Sequence, residues 1–344
     1  MKTIRLVKPY QFKLQDEPVP NSQDEEVLLR IKAVGVCGSD IHLYKGVSYD
    51  QKENIDPLVL GHEFSGLVEA VGASVSDVKP GDRVAVEAGI HCGKCEWCLR
   101  GYTNLCPHMR FCGTPPMDGA LRQYMSWPAH LVYPMPDSMS FDDGVMAEIY
   151  GIAQHSVALA NMRPGMTAAV LGSGSIGLAM VQLLYKTRGV TALFATDLLD
   201  YRLETAQKMG ATVTLNAGNS DIIDRIMQAT GGRGVDVVFE CAGAEETCYQ
   251  SVEIAARGGK VIFIGIPEDN RTPFSAAAAR RKGLTIRFDR RSLFTYENVI
   301  EMIAGGLLDT KTPVTHHFSL EETPQAYDLV SGYKDGVIKA IIHP

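Results

Sequence analysis

Four cysteines lie close together at a spacing that is typical of metal ligands: Cys92, Cys95, Cys98 and Cys106. Zinc binds four thiolates tetrahedrally, and ligands two residues apart can surround one ion without straining the backbone. The spacing therefore predicts a closed structural zinc site, which leaves no ligand position for a substrate. Two disulfides or four unrelated buried thiols are the alternatives. The absence of a secretory signal disfavours the first, and the regular spacing disfavours the second.

A second set of candidate ligands comes from two separate segments of the chain. Cys37 belongs to the first, and His62 and Glu63 are adjacent in the second. A thiolate and an imidazole can hold zinc while one position stays open, as a catalytic site requires. Glu63 and Glu148 are oxygen donors for the same ion, and a choice between Glu63, Glu148 and water stays open. We expect Asp40 to accept the other ring N–H of His62. The alternative is that this cysteine and histidine are ordinary buried residues.

A glycine-rich segment follows an apolar run and precedes a helical pattern. Gly172 permits a tight turn, Gly174 lets the backbone approach a pyrophosphate, and Gly177 allows a helix to pack against a sheet. Asp197 follows twenty residues later, at the end of the next apolar run, where a carboxylate can bind an adenosine ribose and repel a 2′-phosphate. NAD is therefore favoured over NADP. Arg202 is a candidate neighbour of the ribose, and a glycine turn without a ligand is the alternative.

Length and composition limit the classes of protein. The chain has 344 residues, a formal charge of -7, 45% hydrophobic residues and 21% charged residues, which indicates a globular protein of two or three domains. The mild acidity argues against a nucleic-acid surface. The first residues lack the apolar core of a secretory signal, and no apolar stretch approaches the ~18 residues that span a bilayer. These features predict a cytoplasmic protein without a membrane segment.

The pattern of the chain changes near residue 150. Before it, short alternating or apolar runs broken by turn signals predict a β-rich half. After it, apolar strands alternate with helical patterns, which predicts a parallel sheet wound by helices. The predicted strands cover residues 167–171, 191–196, 235–240 and 260–264. A helix over 296–304 and a final strand over 336–342 complete the expected elements.

These motifs occur in one order along nearly the whole chain. The order is Cys37-Gly-Ser-Asp-Ile-His, Gly61-His-Glu, Lys79-Pro-Gly-Asp-Arg-Val, the four cysteines, Gly172-Ser-Gly-Ser-Ile-Gly and Asp197. The sequence in this respect resembles the medium-chain zinc-dependent alcohol dehydrogenases. Five further segments make it most similar to the sorbitol (polyol) dehydrogenase branch: Gly113-Thr-Pro-Pro-Met-Asp-Gly, Glu148, Thr196-Asp-Leu, Glu240-Cys-Ala-Gly-Ala-Glu and Arg291.

The resemblance implies an α/β protein built from two domains. A GroES-like β-rich catalytic domain is expected to comprise residues 1–152 and 290–344. A Rossmann NAD-binding domain with a doubly wound parallel sheet is expected over residues 153–289. The resemblance also implies an active site in the cleft between the domains and a homodimer or homotetramer.

The resemblance also assigns roles to individual residues. Ser39 is expected to accept the substrate proton and His42 to pass it to solvent, beside Glu63 at the metal. Arg291 is expected to contact vicinal hydroxyls of the substrate. Further contacts to the cofactor are expected from four residues: Ser175, Ile176, Cys241 and Gly265.

Two departures from the branch concern the substrate side. Ile149 follows Glu148 where proline is common, and Ser292 follows Arg291 where tyrosine is common. Arg291 also belongs to a basic stretch, which suits either a solvated surface or a substrate phosphate.

The sequence predicts an NAD- and zinc-dependent dehydrogenase that oxidises a polyol or a related secondary alcohol to a ketone. A sugar phosphate, an amino alcohol such as threonine, or a simple secondary alcohol is the alternative substrate. An inactive nucleotide-binding protein of the same fold is the alternative outside enzymes.

Overall fold

The computed structural model describes residues 1–47 and 57–344, and within these ranges the chain forms seventeen strands. The strands are β1 (Lys2–Lys8), β2 (Gln11–Asp16), β3 (Glu26–Gly35), β4 (Glu63–Val71), β5 (Arg83–Val86), β6 (Gly89–Ile90), β7 (Arg110–Phe111), β8 (Tyr124–Pro128), β9 (Val132–Pro134), β10 (Thr167–Leu171), β11 (Ala192–Asp197), β12 (Val213–Asn216), β13 (Val235–Glu240), β14 (Ala255–Phe263), β15 (Thr285–Phe288), β16 (Val314–Ser319) and β17 (Lys339–His343).

Ten α-helices accompany the strands in the same described ranges. They are α1 (Gly38–Tyr44), α2 (Glu96–Leu99), α3 (Phe141–Ala160), α4 (Ser175–Thr187), α5 (Asp200–Lys208), α6 (Ile222–Ala229), α7 (Glu245–Ile254), α8 (Ala276–Lys282), α9 (Tyr296–Ala304) and α10 (Thr323–Ser331). Short 3-10 helices cover Thr103–Leu105, Ala129–Leu131 and Leu320–Glu322.

The chain divides into two compact units. The first comprises residues 1–149, 296–306 and 310–344, and the second comprises residues 150–295 and 307–309. The domain boundaries that the resemblance implies, 1–152, 153–289 and 290–344, remain a prediction.

A largely antiparallel sheet forms the centre of the first unit. Its strand order is β16-β17-β3-β4-β5-β9, with β8 also paired to β3. In β3, buried Val27, Leu29 and Ile31 alternate with more exposed residues, as expected for a strand with one face on a core. Trp127 of β8 is fully buried in this core, and its indole N–H donates to the carbonyl of Glu87 at 3.0 Å. The long strand β3 therefore organises the β-rich unit.

A six-stranded parallel sheet forms the centre of the second unit. Its order is β12-β11-β10-β13-β14-β15, which corresponds to the 3-2-1-4-5-6 order of the doubly wound dinucleotide-binding fold. The central strands β10 and β13 are almost entirely buried, as expected for strands covered on both faces. The α/β class and the doubly wound parallel sheet predicted from the sequence are confirmed.

Among the helices of the described residues, none combines the length and the apolar character needed to cross a membrane.

Candidate functional site

The first group of candidate ligands lies at one end of the pair β3–β4. Cys37 comes two residues after the end of β3 and precedes α1, while His62 directly precedes β4, whose first residue is Glu63. The strands are antiparallel, and Gly35 of β3 pairs with Glu63. The thiol of Cys37, a ring nitrogen of His62 and a carboxylate oxygen of Glu63 consequently lie within 4.8 Å of one another. The register of one strand pair therefore brings these candidate ligands together.

Gly35 leaves room for the carboxylate of this group. A Cβ atom at position 35 would lie 2.2 Å from Oε2 of Glu63 and 2.8 Å from Cγ1 of Val145. Neither distance is compatible with a real contact, and both neighbours are fully buried. The glycine at this position is therefore a steric requirement for the inward carboxylate.

Asp40 orients His62 as the sequence predicts. An oxygen of its carboxylate lies 3.1 Å from Nδ1 of His62, and the other accepts the backbone N–H of Cys37 at 3.2 Å. A carboxylate at Nδ1 holds the proton on that nitrogen, so Nε2 is the nitrogen available to a metal. Ser39 lies on that side, with its Oγ 3.4 Å from Nε2 of His62 and 3.3 Å from Sγ of Cys37. The hydroxyl thus borders the ligand atoms.

Glu63 has a partner that no sequence motif predicts. Nζ of Lys339, in β17, donates to Oε2 of Glu63 at 2.7 Å and to the carbonyl of Val36 at 3.0 Å, and both charged side chains are only 2% exposed. Burial lowers the pKa of Lys339, but the charges of Glu63 and Cys37 outweigh burial and raise the pKa above its usual value. The lysine inside the otherwise apolar final strand is the sequence feature that could have indicated this buried ion pair.

Negative charge accumulates around these side chains. Burial lowers the pKa of His62, yet the charges of Asp40 and Cys37 raise the pKa well above its ordinary value. Burial also raises the pKa of the Tyr296 phenol, and the charge of Glu148 adds to the increase. A thiol, a carboxylate and an oriented imidazole in such a field suit a divalent cation, because buried anionic groups require compensation. The donor set therefore fits zinc.

Glu148 and His42 stand apart from the three mutually close donors. Glu148 is buried on α3 and is not a member of that donor group in the described part of the chain. Its charge nevertheless raises the pKa of Lys339, which places it in the same electrostatic environment. His42 is half-buried on α1, three residues after Ser39 and therefore on the same side of the helix.

The four cysteines of the spaced motif converge in the first unit. Their sulfur atoms lie within 4.8 Å of one another, and all four are free thiols, which excludes the disulfide alternative. Sγ of Cys95 is 3.5 Å from Sγ of Cys98 and 3.9 Å from Sγ of Cys106. These distances are close to the separation of about 3.8 Å between sulfur atoms around a tetrahedral zinc ion. Without an ion, a hydrogen bond from the Lys94 backbone lowers the pKa of Cys92 to about 6, whereas burial and the neighbouring thiols raise the pKa of Cys98 to about 12. Four sulfurs this close cannot all ionise unless a cation compensates their charge. The cluster fits a four-thiolate zinc ion.

The glycine-rich segment joins β10 to α4 in the second unit. Gly172 has a φ of +94°, which favours glycine, and a Cβ atom on Gly177 would lie 1.9 Å from the carbonyl oxygen of Gly172. At Gly174 only Nη1 of Arg202 comes within 4 Å of such a Cβ atom. The loop therefore packs tightly where helix meets strand and stays open at the start of α4, beside Ser175 and Ile176, where a pyrophosphate is expected.

Asp197 lies at the end of β11, beside this loop. Its carboxylate accepts the backbone N–H of Ser173 at 2.8 Å and the backbone N–H groups of Leu198 and Leu199 at 2.8 and 3.1 Å. Nη1 of Arg202 lies 3.7 Å from the same carboxylate. The carboxylate is thus fixed next to Gly174, where the sequence analysis expects the adenosine ribose.

The remaining predicted cofactor contacts follow the next two strands. Cys241 comes directly after β13, and its backbone N–H donates to the carbonyl of Leu171 at 2.8 Å. Burial raises the pKa of its thiol well above the usual value, so the side chain is neutral. A Cβ atom on Gly265 would lie 2.2 Å from the backbone nitrogen of Gly243, so these two loops touch. Both residues therefore lie at the carboxyl end of the parallel strands, where such folds bind nucleotides.

Arg291 lies in the second unit and is half-buried, with a φ of +61° that is uncommon for a residue with a side chain. In the basic stretch around it, four residues are exposed and two are half-buried: Arg280, Arg281, Arg287 and Arg290 are the exposed ones, and Lys282 and Arg291 are the half-buried ones. Nζ of Lys282 donates to the carbonyls of Val252 and Glu253 near the end of α7. A substrate role of Arg291 stays a prediction.

Comparison with known proteins identifies both halves of the chain. The family model described as the alcohol dehydrogenase GroES-like domain matches residues 23–137, and the model described as zinc-binding dehydrogenase matches residues 175–305. The chain is 38% identical to the sorbitol dehydrogenase of Bacillus subtilis, with 100% of this chain and 97% of that protein covered. It is 34% identical to the D-xylulose reductase of Saccharomyces cerevisiae, with 99% and 97% covered.

Solved structures agree with this assignment. An Escherichia coli dehydrogenase of unknown specificity superposes with a TM-score of 0.94 at 34% identity, covering 99% of this chain and 98% of its own. A zinc-binding dehydrogenase from Sinorhizobium meliloti bound to NADP has a TM-score of 0.91 at 29% identity, covering 100% and 99%. An Escherichia coli alcohol dehydrogenase bound to NADH has a TM-score of 0.92 at 27% identity, with the same coverage. The chain belongs to the zinc-dependent medium-chain alcohol dehydrogenase family, in its sorbitol dehydrogenase-like branch.

Proposed function

We propose that this protein is an NAD- and zinc-dependent dehydrogenase that oxidises a secondary hydroxyl of a polyol to a ketone. The observation that carries the proposal is the convergence of Cys37, His62 and Glu63 in a buried, negatively charged environment. The names of the sorbitol dehydrogenase and D-xylulose reductase to which the chain is similar support a polyol. A nucleotide-binding protein without activity has no use for such a donor group beside a serine hydroxyl.

Cys37, His62 and Glu63 would hold the catalytic zinc, with Glu148 or water as a further oxygen ligand. When bound, zinc would supply Lewis-acid chemistry that lowers the pKa of a hydroxyl near it, as it lowers the pKa of bound water to about 7. Asp40 keeps the His62 proton on Nδ1 and so fixes the orientation of the ring. Nζ of Lys339 donates to Oε2 of Glu63 and holds this side chain turned inward, since the buried carboxylate would otherwise lack a positive partner.

The chain's own side chains provide a route for the proton. The substrate hydroxyl loses its proton to Oγ of Ser39, which borders both Cys37 and His62. Ser39 releases its own proton to His42, one helical turn further along α1, and His42 passes it to solvent. The carbon that bears this hydroxyl loses a hydride, which the nicotinamide cofactor would accept. The alcohol group thus loses a proton from its oxygen and a hydride from its carbon, and a ketone forms.

We propose NAD rather than NADP as the acceptor. The fixed carboxylate of Asp197 lies where an adenosine ribose is expected, and it would repel a 2′-phosphate. The guanidinium of Arg202 faces the carboxylate of Asp197, so this arginine is less suited to bind a 2′-phosphate. Ser175, Ile176, Cys241 and Gly265 are proposed as further contacts at the carboxyl end of the parallel strands.

Several narrower proposals accompany this function. The four-cysteine cluster is proposed to bind a structural zinc ion, because it offers no open position for a substrate. Arg291 is proposed as a contact to substrate hydroxyls, or to a phosphate if the substrate is a sugar phosphate. Assembly as a homodimer or homotetramer and a cytoplasmic location remain predictions.

A substrate screen tests the proposed function directly. We expect NAD reduction with one or more polyols, and we expect a zinc chelator to abolish it because the donor group is then empty. The screen measures NADH absorbance with polyols, their phosphates, threonine-like amino alcohols and simple secondary alcohols. Turnover that is confined to one of the other three classes would replace the polyol, and turnover that survives complete removal of zinc would overturn the mechanism.

Paired cysteine variants separate the two proposed zinc sites. We expect Cys37→Ser to remove about one zinc ion per chain and to lower kcat by about a thousandfold or more, since a Lewis acid contributes several kcal/mol to the transition state. We expect Cys98→Ser to lose the other ion and to lower the thermal midpoint, while the residual activity per folded molecule is largely kept. Metal analysis, turnover and thermal unfolding are measured on both. Equal effects of the two variants on turnover would contradict the assignment.

The buried ion pair of Lys339 and Glu63 makes a separate prediction. We expect Lys339→Met to destabilise the zinc-free protein by about 3–5 kcal/mol, because it leaves the Glu63 carboxylate buried without its cation. Adding zinc should recover part of this loss, since the metal supplies positive charge at the same carboxylate. Urea unfolding with and without zinc measures both effects. Lys2→Met, which removes an exposed ion pair with Glu321, is the control and should change little. A zinc-free Lys339→Met protein as stable as the wild type would refute the argument.

Substitution of Asp197 tests the choice of cofactor. We expect Asp197→Asn to lower kcat/KM for NAD by about 10–100-fold, the value of a hydrogen bond to a charged group, and to raise kcat/KM for NADP by relieving repulsion. Asp200→Asn is the control, because Asp200 is an exposed acid that accepts a hydrogen bond from Asn216. Initial rates measured with NAD and with NADP give the two kcat/KM values for each variant. An unchanged ratio of the two kcat/KM values would show that Asp197 does not select the cofactor.

A further inference from the structure

A third group of candidate metal ligands lies in the first unit and has no part in the proposed reaction. We refer to Asp142, His317 and His343 as the HHD cluster. Asp142 lies in the first turn of α3, His317 in β16 and His343 at the end of β17. The two strands are parallel neighbours, with His317 paired to Ile341 and Ser319 to His343. Three separate elements thus each contribute one ligand.

The distances in the HHD cluster match those around one small metal ion. Nδ1 of His317 lies 3.2 Å from Nε2 of His343 and 3.5 Å from Oδ2 of Asp142, and Nε2 of His343 lies 3.6 Å from Oδ1 of Asp142. Nitrogen and oxygen ligands about 2.0–2.2 Å from a tetrahedral ion are about 3.3–3.6 Å from each other. All three pairs lie close to this range. The two histidines lie nearest to different oxygens of Asp142, and one ligand atom from each of the three residues lies within 4.8 Å of the other two. One ion can therefore reach all three residues with little movement.

The tautomer of His343 also suits a metal ligand. Nδ1 of His343 lies 3.0 Å from the carbonyl oxygen of Lys32, which only accepts hydrogen bonds. The proton of the neutral ring is consequently on Nδ1, and Nε2 presents a lone pair to His317 and Asp142. Backbone carbonyls hold metal-binding histidines in this way.

A cation resolves an excess of acceptors in the cluster. The lone pair of His343 and the carboxylate of Asp142 both face Nδ1 of His317, whose single proton cannot satisfy both well. A metal ion can bind a lone pair from each of the three side chains at once. Two imidazoles and one carboxylate suit zinc and the neighbouring first-row ions, whereas calcium and magnesium prefer oxygen ligands.

The exposure of the HHD cluster indicates an exchangeable ion. The side chains of His317 and His343 are 52% and 42% exposed, so water can take the remaining ligand positions. We propose that the HHD cluster binds one divalent transition-metal ion of the zinc class, which ties β16, β17 and the first turn of α3 together. The same elements carry Lys339 and Glu148, so the ion would brace the segments that position two buried charges of the proposed active site.

Zinc titration of the zinc-loaded enzyme tests this proposal. We expect isothermal titration calorimetry to show about one additional Zn²⁺ per chain. His317→Gln and His343→Gln should each weaken this binding at least about tenfold, because each removes a ligand. His316→Gln is the matched control, since His316 is adjacent in β16 but contacts Thr315 and Asp335 instead. This variant should bind the additional ion as the wild type does.

Two further measurements make the outcome decisive. Turnover at fixed zinc shows that each variant is folded, and cobalt added in place of the additional zinc should give a visible absorption band in the wild type and the His316→Gln protein only. The proposal is overturned if the wild type binds no additional ion, or if His316→Gln weakens binding as much as His317→Gln does. Neither result depends on which substrate the enzyme oxidises.

Discussion

The central constraint on this protein is the negative charge buried where β3 meets β4. Glu63 is almost completely buried, and Asp40 and the Cys37 thiol lie beside it. Burial of uncompensated charge is costly, so the fold must supply positive groups from elsewhere in the chain. Lys339 is one of them, and it comes from the last strand of the sheet. The remaining anionic donors converge on a point that suits a divalent cation.

The sheet of the first unit meets this constraint through its strand order. β17 lies beside β3, and β3 lies beside β4, so residues far apart in sequence become neighbours across three strands. The absence of a side chain at Gly35 leaves space for Glu63, and α1 starts immediately after Cys37 so that Asp40 reaches His62. The candidate site is thus a consequence of register rather than of any one loop. A one-residue shift of β3 against β4 would turn Glu63 to the other face.

The sequence predicts the parts of the structure that depend on local pattern. The strands at residues 167–171 and 235–240 and the helix at 296–304 are found within the same bounds, because their apolar periodicity is decided by nearby residues. The glycine loop and the four-cysteine cluster follow equally local rules. Lys339 and the HHD cluster were missed, because their partners are set by the pairing of β16, β17 and β3. A buried lysine in an apolar strand and two histidines in separate strands carry no local motif.

The three candidate ligand groups of the first unit differ in ligand type, ligand number and burial. The four-cysteine cluster offers four sulfur atoms, the number that a tetrahedral shell needs, so an ion held there would stabilise a loop but would have no position for a substrate. The Cys37 group offers fewer ligands inside a buried, charged environment, where an ion with an open position polarises a substrate most strongly. The HHD cluster offers few ligands at the surface, where water competes and weakens any effect on a bound molecule. The three groups therefore suit structure, catalysis and reversible bracing according to the ligands they offer and how far the fold excludes water from each.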